Sequence, residues 1–315
     1  MKEALVVGIV APSGYVMDPA ALTRVDAYFA GLGHRVIVDE AATLRWQRFA
    51  GTDAERIDSL HRMFRRDDVD IVIAARGGYG LSRLLEAVDY RLLAESGKPF
   101  IGHSDCSALQ LALWAQTQAP SLAGPTACYD FGSETVSGFT ERSFWAALSQ
   151  PSYTIALAAR DTGDRDNGGE QPRCSARGML WGGNLRTLTH LLGSPWFPRI
   201  DGGILFVEDV SEHPYRIERM LLQLHHAGVL DRQAAILLGD FSGYKLQDND
   251  GGYDFAAAID FIRTRTRTPI LSGLQFGHVR DKLTLPIGGE GILTSNDGQC
   301  ALEIVRPAGR WQRLQ

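Results

Sequence analysis

The sequence predicts an α/β fold, with a parallel β-sheet in an N-terminal domain and a smaller α/β domain at the C-terminus. Apolar runs rich in valine and isoleucine alternate with segments of helical periodicity, which is the pattern of repeated β-α units. A polar stretch rich in glycine and aspartate interrupts this alternation from about residue 149 to 177. We therefore expect domains at 1–150 and 178–315, joined by a linker at 151–177, with a ligand cleft between them.

The first half contains four predicted strand–helix pairs. Asp18 is placed to cap the first helix, with Pro19 in its first turn, and Thr52 or Asp53 is placed to cap the second. Continuous apolar runs such as 4–12 and 69–75 are typical of strands that are covered on both faces. The predicted strands are 4–12, 34–40, 69–75 and 99–103, and the predicted helices are 18–33, 52–66, 81–88 and the segment after Ser104.

The second half repeats the pattern and ends in strands. An Asp-Gly turn at Asn296, Asp297 and Gly298 predicts a hairpin near the C-terminus. The predicted strands are 202–210 and 234–241, the predicted helices are 215–228 and 254–266, and the strand-rich end is 286–305.

Composition excludes several classes of protein. The net charge is -5 and no basic tract stands out, so we expect no nucleic-acid partner. No apolar run approaches the roughly 20 residues of a membrane span, and the N-terminus lacks the basic leader of a signal peptide. The four cysteines are widely spaced and form no CxxC pair. A cytoplasmic protein with reduced thiols and no zinc site is therefore expected.

Ser104 is the first candidate for chemistry. It follows a predicted buried strand and precedes a long apolar helix, where a turn exposes its Oγ and the free N–H groups of the helix could stabilise an oxyanion. Gly102 fits the first half of the G-x-S-x-G nucleophile elbow, but Cys106 replaces the second glycine. On this stretch alone, a serine that merely caps the helix is an equally good interpretation.

A nucleophilic serine needs a base and an acid that orients the base. His278 lies in a glycine-flanked loop, although a structural histidine is the alternative. Glu208 ends a predicted buried strand, where parallel sheets place catalytic groups, although the pair Glu208 and Asp209 could be a solvated loop or half of a metal site. The chain order Ser104, Glu208, His278 is the serine–acid–histidine order of α/β-hydrolases.

Two glycine-rich stretches suggest ligands only weakly. The loop 75–80 follows a buried strand, but it lacks the spacing and the lysine of nucleotide-binding loops. Its glycines Gly77 and Gly78 could instead direct a backbone N–H at a substrate oxygen. The stretch 248–254 lacks the ligand order of a calcium loop, and no HExxH motif occurs. We therefore expect neither a cofactor nor a metal.

Taken together, several stretches resemble the LD-carboxypeptidase family, also called muramoyltetrapeptide carboxypeptidases. They span nearly the whole chain in the family's order. The matching stretches are GIVAPSG, ARGGYGLSRLL, IGHSDCSALQLAL, GMLWGGNLRTLTHLLGSP, ILFVEDVSEHPYRIERML, AGVLDRQAAILLGDF and GHVRDKLTLPIG.

The resemblance implies a serine peptidase without a metal, with an N-terminal nucleophile domain and an active site in the cleft. By motif, Ser104 is the nucleophile, Glu208 the acid and His278 the base, and the oxyanion hole consists of the backbone N–H groups of Asp105 and of Gly77 or Gly78. The resemblance also implies a homodimer in the cytoplasm. Its substrate would be the murein tetrapeptide L-Ala-γ-D-Glu-meso-diaminopimelate-D-Ala, which loses its terminal D-alanine during cell-wall recycling.

Three alternatives stay open at this point. A branch of the family hydrolyses a peptidyl-nucleotide antibiotic and gives immunity, but the stretch 160–177 has no tryptophan that could stack on an adenine, which favours the recycling enzyme. A generic serine amidase or esterase is disfavoured by Cys106 and by the lack of an HGGG-type loop. A non-enzymatic nucleotide-binding module is disfavoured by the missing phosphate-loop lysine.

Overall fold

The computed structural model describes residues 3–157, 171–296 and 299–307, together with Trp311 and Leu314. The predicted α/β class is confirmed, because helices surround a mainly parallel sheet and a second sheet follows it. The first five strands run parallel to one another in the order β5-β4-β3-β1-β2. They are β1 (Val6–Val10), β2 (Arg35–Val38), β3 (Ile71–Ala74), β4 (Phe100–Gly102) and β5 (Ser121–Ala123).

The second sheet has seven strands in the order β10-β9-β8-β7-β12-β13-β6. Its first four strands in this order are parallel, and the pairs from β7 onward are antiparallel. The later strands of the chain are β6 (Ser152–Ala156), β7 (Cys174–Asn184), β8 (Ile204–Glu208), β9 (Ala235–Leu238), β10 (Ile270–Leu271), β11 (Leu285–Ile287), β12 (Glu290–Asn296) and β13 (Gln299–Val305).

Two strands join the sheet that is formed mainly by the other half of the chain. Strand β11, from the second half, pairs antiparallel with β5 and completes the first sheet as its sixth strand. Strand β6, from the predicted linker, pairs with β13 and forms an edge of the second sheet. The predicted linker 151–177 thus contains β6 and the first residues of β7, and its middle, 158–170, lies outside the described residues, as do Asp297 and Gly298 of the predicted hairpin turn. The two strands of that hairpin, β12 and β13, do pair antiparallel.

The helices follow the predicted capping signals. Thr52 and Glu55 form a reciprocal capping box at the start of α2. Asp18 Oδ1 accepts a hydrogen bond from the Ala20 N–H at the start of α1. The helices are α1 (Ala20–Gly31), α2 (Asp53–Arg65), α3 (Tyr90–Glu95), α4 (Cys106–Thr117), α5 (Gly138–Ser149), α6 (Leu185–Leu191), α7 (Pro214–His226) and α8 (Phe255–Arg263).

The helix predicted at 81–88 is wrong. The segment instead forms two short 3₁₀ turns, Leu81–Arg83 and Leu85–Ala87. It begins after Gly80, whose φ is +142°, and the Leu81 N–H is bound by the Asp105 carboxylate. Its buried leucines, Leu81, Leu84 and Leu85, have helical spacing, so tertiary contacts, among them the bond from the Leu81 N–H to Asp105, outweigh its intrinsic helix propensity.

Helix α4 lies at the junction of the two sheets. Eight consecutive residues of this helix, 106–113, are buried, so it has no solvent face in this stretch. The six apolar residues among them belong to one core that runs from strands β3 and β4 to strands β7, β8 and β9. The N-terminus of α4, which follows Ser104, is therefore held between both halves of the chain.

Candidate active site

The turn between β4 and α4 has the backbone of a nucleophile elbow. Ser104 has a φ of +65°, the left-handed region that non-glycine residues rarely adopt. Gly102 is required before it, because a Cβ at that position would lie 2.7 Å from the Cys106 Sγ. Gly77 is required beside it, because a Cβ there would lie 2.7 Å from the Ser104 Cβ. Gly77 thus packs directly against the Ser104 side chain, and Gly102 leaves room for the first residue of α4.

The structure brings Ser104, His278 and Glu208 together from three separate elements. His278 Nε2 lies 3.0 Å from Ser104 Oγ, and His278 Nδ1 lies 2.8 Å from Glu208 Oε2. A carboxylate accepts hydrogen bonds, so Nδ1 carries the proton and Nε2 offers its lone pair to the serine hydroxyl. Glu208 ends β8 and is fully buried, whereas the imidazole is about one quarter exposed.

Asn184 is a site residue that the sequence analysis did not find. Its Nδ2 lies 3.2 Å from Glu208 Oε1 and 3.1 Å from Asp209 Oδ1, so one amide group binds both adjacent carboxyls. Its Oδ1 accepts the Thr187 N–H and caps α6. The asparagine before an apolar helical run signals such a cap. The contact with Glu208 could not be inferred from sequence, because it joins residues 24 positions apart.

The buried carboxyl groups of Glu208 and Asp209 raise pKa values within the site. Burial lowers the pKa of His278, but the hydrogen bond with Glu208 and the negative charge of that residue outweigh it, so the pKa lies above its ordinary value. Burial, together with the neighbouring Glu208, raises the pKa of Asp209 to about 6. Asn184, the Val210 N–H and the Arg186 N–H bind Asp209 and partly oppose that rise.

The ring of His103 packs against the ring of His278, with centroids 5.1 Å apart. His103 Nδ1 lies 3.1 Å from the Gly124 carbonyl oxygen, an acceptor, so this nitrogen carries the proton. Burial holds the pKa of His103 well below its ordinary value. His103 is therefore a neutral packing partner of the imidazole near neutral pH.

Three backbone amides predicted for an oxyanion hole lie around Ser104. In the hydrogen-bond network of the described residues, the N–H groups of Gly77, Gly78 and Asp105 have no protein acceptor. The Gly77 carbonyl accepts a hydrogen bond from the Gly14 N–H. In a trans peptide the C=O and the N–H point in opposite directions, so the Gly78 N–H is directed away from Gly14. Gly78 has a φ of +119°, which requires glycine. The Asp105 side chain is turned inward and accepts hydrogen bonds from Ser13 and the Leu81 N–H.

A cleft of about 870 Å³ opens over Ser104 and His278. Arg76, the residue before Gly77, does not line this cleft, and its guanidinium donates to the Tyr15 carbonyl. The basic side chains of the cleft are Arg48, Arg186 and His190, and polar or aromatic residues complete it: Tyr79, Ser82, Asn184, Thr187, Thr189, Asp209 and Gln223.

The stretch 248–254, which lacks the ligand order of a calcium loop, contains a short helical turn in which Asp250 pairs with His213. Within the described ranges, no cluster of three His, Cys, Asp or Glu side chains is arranged to hold a metal, and no helix has the length and apolar character of a bilayer span. The four cysteines are free.

Comparison with known proteins agrees with the motifs. The family model of the LD-carboxypeptidase N-terminal domain matches residues 7–124, and that of the C-terminal domain matches residues 177–293. The chain belongs to the LD-carboxypeptidase family. The resemblance inferred from the motifs is thereby confirmed.

Relatives in this family support the same fold. A crystal structure of muramoyltetrapeptide carboxypeptidase from Oxalobacter formigenes has 42% sequence identity and a TM-score of 0.88, covering 96% of this chain and 100% of that one. The murein tetrapeptide carboxypeptidase of Pseudomonas aeruginosa is 33% identical over 80% of this chain and 81% of its own. The microcin C7 self-immunity protein of Escherichia coli is 27% identical over 86% of each chain.

Proposed function

We propose that the protein is a serine LD-carboxypeptidase that removes the terminal D-alanine from L-Ala-γ-D-Glu-meso-diaminopimelate-D-Ala. The observation that carries this proposal is the hydrogen-bonded line from Ser104 through His278 to Glu208 beneath an open cleft. Membership of the LD-carboxypeptidase family and the substrate in the name of the Pseudomonas aeruginosa relative support the choice of substrate.

In the proposed reaction, Ser104 Oγ attacks the carbonyl carbon of the scissile amide while His278 Nε2 takes the hydroxyl proton. Glu208 stabilises the imidazolium through the Nδ1–H. The imidazolium then gives its proton to the amide nitrogen, the C–N bond breaks and D-alanine leaves. Water, activated by the same imidazole, hydrolyses the acyl-enzyme and restores Ser104.

The tetrahedral intermediate carries a negative oxygen that needs fixed donors. The backbone N–H of Asp105 lies at the start of α4, where the helix dipole also favours negative charge. The N–H of Gly78 is the better second donor, because the Gly77 carbonyl is already bound by Gly14 and the Gly77 Cα packs on Ser104. Removing one such donor costs about 10² to 10³ in kcat in serine peptidases.

The substrate carries several carboxylates, and the cleft offers three basic side chains, Arg48, Arg186 and His190. An exopeptidase has to bind a free carboxylate beside the scissile bond. The pocket has to set the preference for a D-configured terminal residue. In an L-alanine the methyl group and the hydrogen exchange places, which would displace the carbonyl. A misplacement of about 1 Å can cost about 10²-fold in rate.

Three peptides incubated in parallel test the proposal, with products identified by mass spectrometry. We expect release of D-alanine from the tetrapeptide, at least about 10²-fold slower cleavage of the L-Ala-ended isomer, and poor cleavage of the D-Ala-D-Ala pentapeptide. Ser104→Ala should be inactive, and EDTA should have no effect. Equal cleavage of both alanine isomers would indicate a general amidase. Hydrolysis of a peptidyl-adenylate without cleavage of the tetrapeptide would indicate the immunity branch.

The proposal includes the assembly and the location that the family resemblance implies. We infer a homodimer in the cytoplasm, with domains at 1–150 and 178–315, and no membrane or nucleic-acid partner. Light scattering coupled to size-exclusion chromatography tests the dimer. A molar mass of one chain, 34.5 kDa, across the working concentration range would contradict it.

A further inference from the structure

A buried ion pair lies close to the candidate base but takes no part in the proposed reaction. Lys282 Nζ is 2.5 Å from Asp130 Oδ1, and the two side chains are 0% and 4% exposed. Burying two charges in this way has a large desolvation cost that the ion pair has to offset, so a buried pair is weak evidence for a role in stability alone. Lys282 follows His278 by four residues on the irregular loop 272–284 that connects β10 to β11.

This loop runs from the second sheet to the first sheet, and its second part is fastened to the first half of the chain. Lys282 and Asp130 add a charged anchor, since Asp130 lies in the π-helical turn Ala127–Phe131 and also accepts the Thr126 N–H. The remaining anchors come from α5 and from Ser137 at its N-cap. They are Ser137 Oγ to Asp281 Oδ1 at 2.6 Å, Thr140 Oγ1 to the Arg280 carbonyl at 2.9 Å, the Lys282 N–H to Thr140 Oγ1 at 3.0 Å, and the Thr284 N–H to Ser143 Oγ at 2.8 Å.

The ammonium group also contributes charge to the site. The groups facing the His278 imidazole are Glu208 and Asp209 from the end of β8, His103 from the elbow and Lys282 from its own loop. Burial is the largest effect lowering the pKa of His103, and the Lys282 charge lowers it further. The same charge opposes the effect of Glu208 on the pKa of His278.

We propose that Lys282 and Asp130 are positioning residues: their buried ion pair fixes the loop that carries His278 against the Ser104 elbow and places the Lys282 ammonium group near the imidazole. The inference rests on the proposed function in one respect, namely that His278 is the base for Ser104. It does not depend on which peptide is the substrate.

The test measures the rate at which a fluorophosphonate modifies Ser104 as a function of pH, because this reaction needs the neutral base but no peptide. The variant is K282M/D130N, which removes both charges while the asparagine still accepts the Thr126 N–H. We expect a maximal rate at least about 10-fold lower, since a displaced base reacts slowly, and an acid limb displaced upward by at least about 0.5 pH unit, since the opposing cation is gone. With the tetrapeptide, kcat should fall more than KM rises.

Tyr153→Phe is the matched control. The Tyr153 hydroxyl donates to the Thr284 carbonyl at 2.6 Å, so the variant removes an uncharged hydrogen bond from the same segment. It should lower Tm without moving the acid limb. If K282M/D130N does not fold by circular dichroism, K282Q, whose amide can still donate to Asp130, takes the same two measurements.

A folded variant with the wild-type labelling rate and an unmoved acid limb would overturn the inference. A lower rate with an unmoved limb, as in a purely structural defect, would overturn it as well. Labelling of the wild type without D-alanine release would refute the proposed function and still allow this test to be completed.

Discussion

His278 lies within hydrogen-bond distance of Ser104, although 174 positions of sequence separate them and they approach from different sheets. Ser104 follows β4 of the first sheet, and His278 lies on the loop that leaves β10 of the second sheet. The distance of 3.0 Å therefore depends on how the two sheets pack against each other. Activity should report on that packing as well as on the identity of the two side chains.

Removal of the base should be as severe as removal of the nucleophile. We expect His278→Ala to lose about 10⁶ in kcat, like Ser104→Ala, and Glu208→Gln to lose about 10³ to 10⁴, because the amide keeps an acceptor but not the charge. The measurement is D-alanine release under saturating tetrapeptide. The double variant of Ser104 and His278 should be no worse than either single variant, and additive losses would place the residues in different sites.

The rate should depend on pH through His278. Because the imidazole has to be neutral to accept the serine proton and its pKa is raised, kcat/KM should fall as pH drops through a value above 6.5. In Glu208→Gln the raising effect is lost while burial remains, so the acid limb should move down. Profiles from pH 4.5 to 9 on both proteins check this. A wild-type limb below pH 6, or a limb that moves up in Glu208→Gln, would contradict the assignment of His278 as base.

Gly77→Ala should displace the nucleophile without adding a polar group. The new Cβ would lie 2.7 Å from the Ser104 Cβ and 3.0 Å from its Oγ, so the elbow has to move. We expect kcat to fall by about 10²-fold or more. Gly31→Ala is the control, because its new methyl group at the end of α1 would have no neighbour within 4 Å, and it should keep full activity. Full activity of folded Gly77→Ala would show that the glycine is not needed beside Ser104.

Asn184 should contribute to catalysis through its amide nitrogen and to stability through its amide oxygen, and two variants separate these effects. Asn184→Ser keeps an oxygen that can cap α6 but loses the amide that binds Glu208 and Asp209. We expect kcat to fall by about 10-fold or more as Glu208 loses a fixed partner, with little change in Tm. Asn184→Ala should add a loss of about 1 kcal/mol in the free energy of unfolding. Chemical denaturation and steady-state kinetics of both variants separate the effects, and equal kinetics with wild type would exclude a role in holding Glu208.

The sequence was sufficient for the parts of the structure that local rules determine. The apolar runs predicted β1 and β3, and the Thr52 cap predicted the start of α2. The three candidate residues could be chosen because each follows a recognisable local pattern, and the structure brings them together. The segment 81–88 was predicted wrongly because its leucine spacing also suits a helix, whereas its observed turns are fixed by contact with Asp105.

Long-range contacts explain what the sequence did not predict. The amide of Asn184 meets Glu208 only because β7 and β8 are neighbours in the sheet. The residues around Lys282 do not indicate that its side chain is buried. Its burial depends on a partner, Asp130, that lies 152 positions away in the sequence. The exchange of β6 and β11 between the sheets has no local signal either, since a strand's own residues do not specify the sheet that it joins.

That exchange of strands also sets the point in synthesis at which the candidate site can form. A nascent chain that has left the ribosome only as far as β9 already contains Ser104 and Glu208, but it lacks His278 and the sixth strand of its first sheet. The candidate site is therefore complete only after β11 (Leu285–Ile287) has emerged, because β11 has to pair with β5 before the His278 loop is tethered at both ends. A chain that stops before this loop would carry Ser104 and Glu208 without His278.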